Sequence, residues 1–273
     1  MDWTRKRVFI TGASSGIGRA LALELARRGA ALGLIARSAP PLEVLCEELR
    51  AAGARAEFAP ADVCDASAVA AACARLSASL GPCDVLVANA GIHRYTPGRR
   101  LRALVANEVI ATNVLGVINA VAAVTPEMVE RRAGRLVAVA SIAAKLGLPG
   151  VAAYSASKAA VVTLMRSLAV DLFDYGIRVT TVCPGFVDTP MLRDHSRRAL
   201  KWVLTAPQAA ERIVRAIETD RREAWFPWQT WALATLAGCL PFELYRRVFR
   251  QSPGIPDGAS RDCSDAPTEA GEG

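Results

Sequence analysis

The sequence has few of the residues that mark fibrous, disordered or metal-bound chains. Its 20 glycines and 15 prolines amount to about 13% of 273 residues, whereas low-complexity chains reach roughly 25–30%. Its seven cysteines are an odd number and form no C-x-x-C pair, so the pattern indicates neither a disulfide framework nor a metal site. Because 52% of the residues are hydrophobic, the chain can bury a large folded core.

Long runs of one charge are also absent. Lysine and arginine number 33 against 26 acidic residues, a net charge of +7, but the basic residues occur singly or in short groups. No basic face interleaved with aromatic residues is present, so we expect no nucleic-acid partner. The chain reaches its first apolar segment without the h-region of a signal peptide, and we expect a cytoplasmic protein.

Strand and helix patterns alternate along the chain, and the strands are apolar throughout, as strands buried on both faces are. The expected strands cover residues 8–10, 31–35, 56–59, 84–88, 135–140 and 178–183. The expected helices cover residues 17–28, 41–52, 66–80, 104–124 and 154–175. This order predicts an α/β protein: a Rossmann-type doubly wound parallel sheet of about seven strands, flanked by helices in a single domain.

Two regions depart from the alternation and suggest a division of the chain. Residues 1–227 are expected to form the Rossmann-fold catalytic domain. Residues 228–251 are expected to form a hydrophobic C-terminal flap or a segment that contacts a membrane or a subunit interface. Residues 252–273 are rich in Pro, Gly, Ser and acidic residues, which is typical of a disordered tail.

A glycine-rich turn, T-G-A-S-S-G-I-G, occupies residues 11–18 between the first strand and the first helix. Its glycines let the backbone approach a pyrophosphate, and the helix N-terminus offers free N–H groups and a partial positive charge. A plain tight turn is the alternative. The residues expected to bind the cofactor here are Gly12, Ser14, Ser15, Gly16, Ile17 and Gly18.

The second strand ends in L-I-A-R-S at residues 34–38, without the acidic residue that would bind a ribose 2′-hydroxyl. Arg37 would instead pair with a 2′-phosphate, for which a planar guanidinium is well suited. A solvated arginine on a loop is the alternative. The pattern favours NADP(H) over NAD(H).

Tyr154 and Lys158 are four residues apart at the start of a predicted helix, so they lie on one face. An ammonium about 4 Å from the phenol would lower its pKa by roughly three units, which would fit Tyr154 for proton transfer. A surface Tyr and Lys pair is the alternative. Ser141 follows an apolar strand at the end where ligands collect, and Asn113 is a polar residue in an apolar helix that needs a partner.

Taken together, T-G-x-x-x-G-x-G, N-A-G, Asn, Ser, Y-x-x-x-K and P-G, in this order, resemble the short-chain dehydrogenase/reductase family over about residues 5–227. One departure is Ala88, where the family often has a first Asn before N-A-G. The resemblance implies hydride transfer between NADP(H) and a carbonyl or secondary alcohol. It implies catalytic roles for four residues: Tyr154 as acid/base, Lys158 as its activator and ribose ligand, Ser141 as carbonyl ligand and Asn113 as support for a relay water. The cofactor contacts that it implies are Asp62, Val63, Asn89, Ala90, Gly91, Tyr154, Lys158, Pro184, Gly185, Val187 and Thr189.

Substrate choice in such proteins lies after P-G, here at residues 186–205, and in the C-terminus. The apolar side chains there suggest a mainly apolar substrate, such as a long-chain keto compound or a sterol. Residues 224–242 carry no charge, and three interpretations stay open: a flap at the substrate entrance or subunit interface, peripheral membrane docking of 224–250, or a membrane span. The resemblance also implies a homodimer or homotetramer. A non-catalytic NADP(H)-sensing protein of the same fold is the alternative function.

Overall fold

The computed structural model describes residues 1–192 and 202–250. The predicted tail at 252–273, residue 251 of the predicted flap, and residues 193–201 of the predicted substrate segment lie outside this part of the chain. The strands are β1 (Arg7–Thr11), β2 (Ala31–Ala36), β3 (Ala56–Pro60), β4 (Val85–Ala88), β5 (Gly134–Val139), β6 (Ile177–Pro184), β7 (Val187–Asp188), β8 (Leu204–Thr205) and β9 (Glu223–Phe226). The helices are α1 (Gly16–Arg27), α2 (Ala39–Ala51), α3 (Ala66–Leu80), α4 (Ala103–Ile110), α5 (Gly116–Glu130), α6 (Ala152–Asp171), α7 (Ala206–Glu218), α8 (Trp228–Gly238) and α9 (Phe242–Arg250).

The main sheet has seven strands in the order β3-β2-β1-β4-β5-β6-β9, and every neighbouring pair is parallel. The strand order reverses direction between β1 and β4, where the register pairs Val8 with Val85. In such sheets ligands bind at the carboxyl ends of the strands beside this reversal. The predicted Rossmann-type doubly wound sheet is confirmed.

Helices cover both faces of the sheet and form two cores. On one face α1, α2 and α7 bury side chains such as Leu21, Leu45 and Ile213. On the other face α3, α5 and α6 bury side chains such as Leu76 and Val121. The strands between them, such as β2 with all six residues buried, are apolar because neither face meets water.

The helix predicted at 104–124 differs from the structure in two ways. A π-helical turn at Ala111–Leu115 separates α4 from α5, and α5 continues to Glu130 past Pro126. Val124 and Met128 stay buried across this proline, so side-chain packing offsets the backbone hydrogen bond that proline cannot donate.

The uncharged segment 224–242 is divided among β9, α8 and the first residue of α9. Its first residues belong to β9, the seventh strand of the sheet, which the sequence interpretation missed, and the following helix α8 has only 11 residues. Such a helix is roughly 16 Å long, about half of the hydrocarbon core of a bilayer, so this segment is not a membrane span. Elsewhere, Ala103–Glu130 is apolar and long enough to cross a membrane by length and composition, but it packs against α3 and α6.

Candidate active site

The glycine-rich turn between β1 and α1 forms an open cradle. Gly12 and Gly16 have φ angles of +65° and +54°, which side chains rarely adopt. A Cβ at Gly12 would lie 2.7 Å from the Cα of Ala90. Ser15 is the N-cap of α1, and its side chain makes no capping hydrogen bond. The free N–H groups of the first turn therefore remain available to a bound phosphate.

Gly18 has a packing role in the turn, unlike Gly12 and Gly16. A Cβ at this position would lie 2.2 Å from the carbonyl oxygen of Gly12 and 2.6 Å from Nδ2 of Asn89. The residue is buried and does not line the cavity. It lets α1 pack closely on the turn, so its link to cofactor binding is indirect.

Thr11 joins the ends of β1 and β4, and the sequence interpretation did not include it among the site residues. Its hydroxyl oxygen accepts hydrogen bonds from the backbone N–H groups of Asn89 and Ala90, each at 3.1 Å. In return the Asn89 side chain donates to the carbonyl oxygens of Thr11 (3.0 Å) and Gly12 (3.1 Å). This network holds the glycine turn against the N-A-G segment.

The cavity above the sheet edge has a volume of about 1040 Å³. At the end beside β2 and β3 it is lined by Arg37, Ser38, Asp62 and Val63. Arg37 is exposed. The Asp62 side chain accepts a hydrogen bond from the backbone N–H of Cys64 at 2.9 Å, which fixes the loop after β3.

Ser141, Tyr154 and Lys158 come together on the opposite side of the same cavity. Ser141 lies two residues after the carboxyl end of β5. Its side chain accepts a hydrogen bond from the backbone N–H of Ala143 at 3.2 Å. Tyr154 and Lys158 are one turn apart on α6. Lys158 is buried, and its Nζ donates to the carbonyl oxygen of Val139 at 2.9 Å. An ammonium has three donors, so this group can also bind ligand hydroxyls.

The electrostatics differ from the expected activation of Tyr154. Burial raises the pKa of Tyr154, and a hydrogen bond with Ser141 acts in the opposite direction. Nζ of Lys158 lies 5.8 Å from the centre of the Tyr154 ring, and burial lowers the pKa of Lys158 to about 8. The prediction of a lowered Tyr154 pKa is wrong for the protein on its own, because desolvation by burial outweighs the hydrogen bond with Ser141. At neutral pH the phenol carries its proton.

Asn113 is fully buried in the π-helical turn and does not line the cavity. Its Oδ1 accepts from the backbone N–H of Ile92 (2.8 Å), and its Nδ2 donates to the Ile92 carbonyl and to Oγ of Ser157, each at 3.0 Å. Ser157 in turn donates to the Tyr154 carbonyl at 2.7 Å. Asn113 thus ties the loop after β4 to the start of α6. The relay water remains a prediction.

Two further cavity residues were not expected. His93 packs edge-on against Tyr154, with ring centres 5.0 Å apart and planes at 65°. Thr230 of α8 lies beside Gly185, and its buried hydroxyl has no hydrogen-bond partner in the described part of the chain. Neither belongs to a motif: His93 lies in the loop two residues after N-A-G, and Thr230 lies in an uncharged segment.

All of the residues predicted for the site line this one cavity, except Gly18 and Asn113. The predicted residues that line it are Gly12, Ser14, Ser15, Gly16, Ile17, Arg37, Asp62, Val63, Asn89, Ala90, Gly91, Ser141, Tyr154, Lys158, Pro184, Gly185, Val187 and Thr189. Beyond Tyr154 the lining becomes mainly apolar. It includes Ile142, Leu148, Phe186, Met191, Leu192, Trp202, Leu233 and Phe249.

Known proteins are similar in sequence to this chain over most of its length. The family model for short chain dehydrogenases matches residues 6–199. An uncharacterized oxidoreductase of Myxococcus xanthus is 40% identical over 250 residues, 92% of this chain and 98% of that protein. FabG of Staphylococcus aureus, a 3-oxoacyl-(acyl-carrier-protein) reductase, is 38% identical over 201 residues, 73% of this chain and 82% of that protein.

Solved structures share the fold. A short chain dehydrogenase/reductase from Burkholderia phymatum in complex with NAD has a TM-score of 0.80 at 27% identity, covering 94% of this chain and 99% of that one. A gluconate 5-dehydrogenase from Burkholderia cenocepacia in complex with NADP and tartrate has a TM-score of 0.78 at 27% identity, covering 85% and 98%. The chain therefore belongs to the short-chain dehydrogenase/reductase family, whose members are oxidoreductases that act on alcohol or ketone groups with a nicotinamide cofactor.

Proposed function

We propose that this protein is an NADP(H)-dependent reductase of a ketone in a mainly apolar, lipid-like substrate. The observation that carries the proposal is the single cavity that joins the glycine turn and Arg37 to Ser141, Tyr154 and Lys158, and then continues into an apolar end. The bound cofactor would supply a hydride. The chain itself then has to bind the nucleotide, orient the carbonyl and deliver a proton.

Tyr154 is the proposed proton donor, and its electrostatics suit the reductive direction. Because burial raises the pKa of Tyr154, the phenol is protonated at neutral pH and can donate to a carbonyl oxygen. The Ser141 hydroxyl would donate a second hydrogen bond to the same oxygen. Nζ of Lys158 would bind ribose hydroxyls, in the role that the family resemblance implies for it.

The preference for NADP(H) over NAD(H) rests on the adenosine end of the cavity. Ala36 ends β2 and Arg37 follows it, so no carboxylate stands at the place where one would bind a ribose 2′-hydroxyl. Arg37 is exposed to the cavity and can pair with a 2′-phosphate. The neighbouring Asp62 side chain is engaged with the Cys64 backbone, and we propose that it contacts the adenine.

The apolar end of the cavity supports a hydrophobic substrate. Phe186, Leu192, Trp202, Leu233 and Phe249 line it, and burying apolar substrate surface against such side chains is favourable. We propose that the described part of residues 228–251 forms a flap over this end of the 1–227 catalytic domain. The similarity to a 3-oxoacyl reductase supports a long-chain keto substrate, with a sterol as the bulkier candidate.

We place the protein in the cytoplasm as a homodimer or homotetramer. Its α5 and α6 keep apolar side chains exposed, including Ile118 at 40% and Val170 at 73%. Exposed apolar residues on long helices are suited to contact with a second copy. A size measurement at micromolar concentration tests this proposal, which a monomer would contradict.

A panel of ketones graded by chain length tests the function, with NADPH oxidation as the readout. We expect kcat/KM to rise with chain length. Tyr154→Phe should lower kcat by about 100-fold or more while NADPH binding is retained, and Tyr175→Phe, in a turn away from the cavity, is the matched control. NADPH binding without turnover on any ketone would favour the alternative, a cofactor-sensing protein of the same fold.

A further inference from the structure

Helix α8 is uncharged and mainly apolar, but only one of its sides is buried. Its buried face contains Thr230, Ala234 and Ala237. Trp228 is 69% exposed and Leu236 68%, and no charged residue lies between Glu223 and Glu243. A helix that is hydrophobic all round is normally covered on all sides, by protein or by lipid. The outer face of α8 therefore needs a covering that the described chain does not provide.

Helix α9 continues this face but adds positive charge along one side. Phe242 is 73% exposed, and Leu244 and Val248 are each 46% exposed. Arg246 and Arg247 are also exposed and flank these residues, since Arg246 lies four residues after Phe242 and Arg247 three residues after Leu244. The one carboxylate of α9, Glu243, forms an ion pair with Arg246 at 2.9 Å. This is the pattern of a helix that lies in a membrane interface: aromatic and aliphatic residues on one face and arginines beside them.

Both helices contribute side chains to the apolar end of the substrate cavity. Leu233 of α8 and Phe249 of α9 line the apolar end of the cavity. The Tyr245 hydroxyl donates to the carbonyl oxygen of Gly147 at 3.0 Å, which holds α9 against the loop before α6. The exposed apolar face therefore adjoins the apolar end of the cavity.

We propose that the α8–α9 surface, formed by Trp228, Trp231, Leu236, Phe242, Arg246 and Arg247, docks on an anionic phospholipid bilayer. The apolar side chains enter the boundary between headgroups and acyl chains, and the arginines contact phosphates and anionic headgroups. The net charge of +7 adds long-range attraction to such a surface. Docking in this way opens the cavity toward the lipid phase.

A bilayer fits this surface better than a second copy of the chain does. In a two-fold dimer the same patch would meet itself, and it would offer Arg247 no free acidic partner, because Glu243 is already paired with Arg246. Such a dimer would also cover the cavity mouth. A fluid bilayer covers the apolar face, supplies the negative charge and leaves the mouth accessible to lipid-soluble molecules.

The consequence for substrate supply rests on the proposed function. If the substrate is a lipid-like ketone, it can enter the cavity from the bilayer without crossing water. The docking itself does not depend on that function, because it follows from the exposed side chains alone. Vesicle binding tests the docking, and NADPH affinity tests the proposed function. Measuring both in the same preparations therefore shows which of the two proposals fails.

Co-sedimentation of the full chain with vesicles tests the proposal, with phosphatidylcholine alone and with phosphatidylglycerol added. We expect strong binding to the mixed vesicles and weak binding to the neutral ones. Arg246→Gln with Arg247→Gln should weaken binding to mixed vesicles by up to about 25-fold, since each basic residue near an anionic surface contributes about fivefold. Trp228→Ser with Leu236→Ser should weaken binding to both.

Matched substitutions on other surfaces control for hydrophobicity and charge. Val44→Ser removes an apolar side chain that is 64% exposed on α2, and Arg55→Gln with Arg75→Gln removes two exposed arginines. Vesicle binding should be unchanged in both. The proposal is overturned if the chain does not bind mixed vesicles, or if the control variants lose as much binding as the α8–α9 variants. It is also overturned if the chain is an oligomer that does not bind vesicles and Trp228→Ser with Leu236→Ser dissociates that oligomer.

Discussion

Replacing Lys158 with methionine should stabilise the protein while abolishing turnover. Burial lowers the pKa of this lysine from 10.5 to about 8, a difference that corresponds to roughly 3 kcal/mol. Below pH 8 both the folded and the unfolded chain hold the charge, and the folded state carries this cost in full. Methionine removes the cost, but it leaves the Val139 carbonyl without its donor, which offsets about 1 kcal/mol. The net gain at pH 7 is about 2 kcal/mol.

The pH dependence distinguishes this explanation from a general packing effect. Between pH 8 and 10.5 Lys158 keeps its proton in the unfolded chain and releases it in the folded chain. The unsubstituted protein therefore gains stability relative to the Lys158→Met variant as pH rises. Urea unfolding of both proteins without nucleotide, at several pH values from about 7 to 10, measures this difference. Lys6→Met removes the same charge at a half-buried site as a control. A Lys158→Met variant that is less stable at pH 7, with a difference that does not change with pH, would refute the reasoning.

Three further substitutions test single contacts. Arg37→Ala should weaken NADPH binding far more than NADH binding, by roughly 10-fold or more for a lost charge-assisted pair; equal losses in a titration of both nucleotides would contradict the 2′-phosphate role. Gly18→Ala should lower the free energy of unfolding by about 1–3 kcal/mol through overpacking, and it should weaken NADPH binding. Gly147→Ala is the control, because a Cβ there meets nothing within 4 Å. Thermal unfolding and nucleotide titration should show no change in stability or in NADPH affinity for this control. Asn113→Ala should lower the free energy of unfolding by about 1–3 kcal/mol, since the Ile92 N–H loses its buried acceptor; unchanged stability in urea would show that this network has no positioning role.

Local patterns were sufficient to predict most of the fold. The helix expected at 66–80 is Ala66–Leu80 in the structure, because its apolar spacing and its N-cap Asp65 are both local signals. The seventh strand was missed because Glu223–Phe226 mixes charged, small and aromatic residues. Its strand conformation depends on pairing with β6, which no local pattern reports.

The site was predicted less completely than the fold, for a geometric reason. Spacing along α6 places Tyr154 and Lys158 on one face, but the direction of each side chain depends on neighbours far away in sequence. Lys158 donates to Val139 on β5, so the position of its ammonium is set by a strand that is distant from α6 in sequence. The π-helical turn that carries Asn113 and the packing of His93 on Tyr154 arise in the same way, from contacts between distant segments.

The most direct test of the account follows the hydride itself. NADPH that carries deuterium at the transferable position of the nicotinamide is incubated with the full chain and a long-chain ketone, and the alcohol is examined by mass spectrometry and NMR. We predict one deuterium on the carbinol carbon of a single enantiomer. An alcohol without deuterium, or a racemic product, would contradict hydride transfer in a cavity that orients the carbonyl between Ser141 and Tyr154.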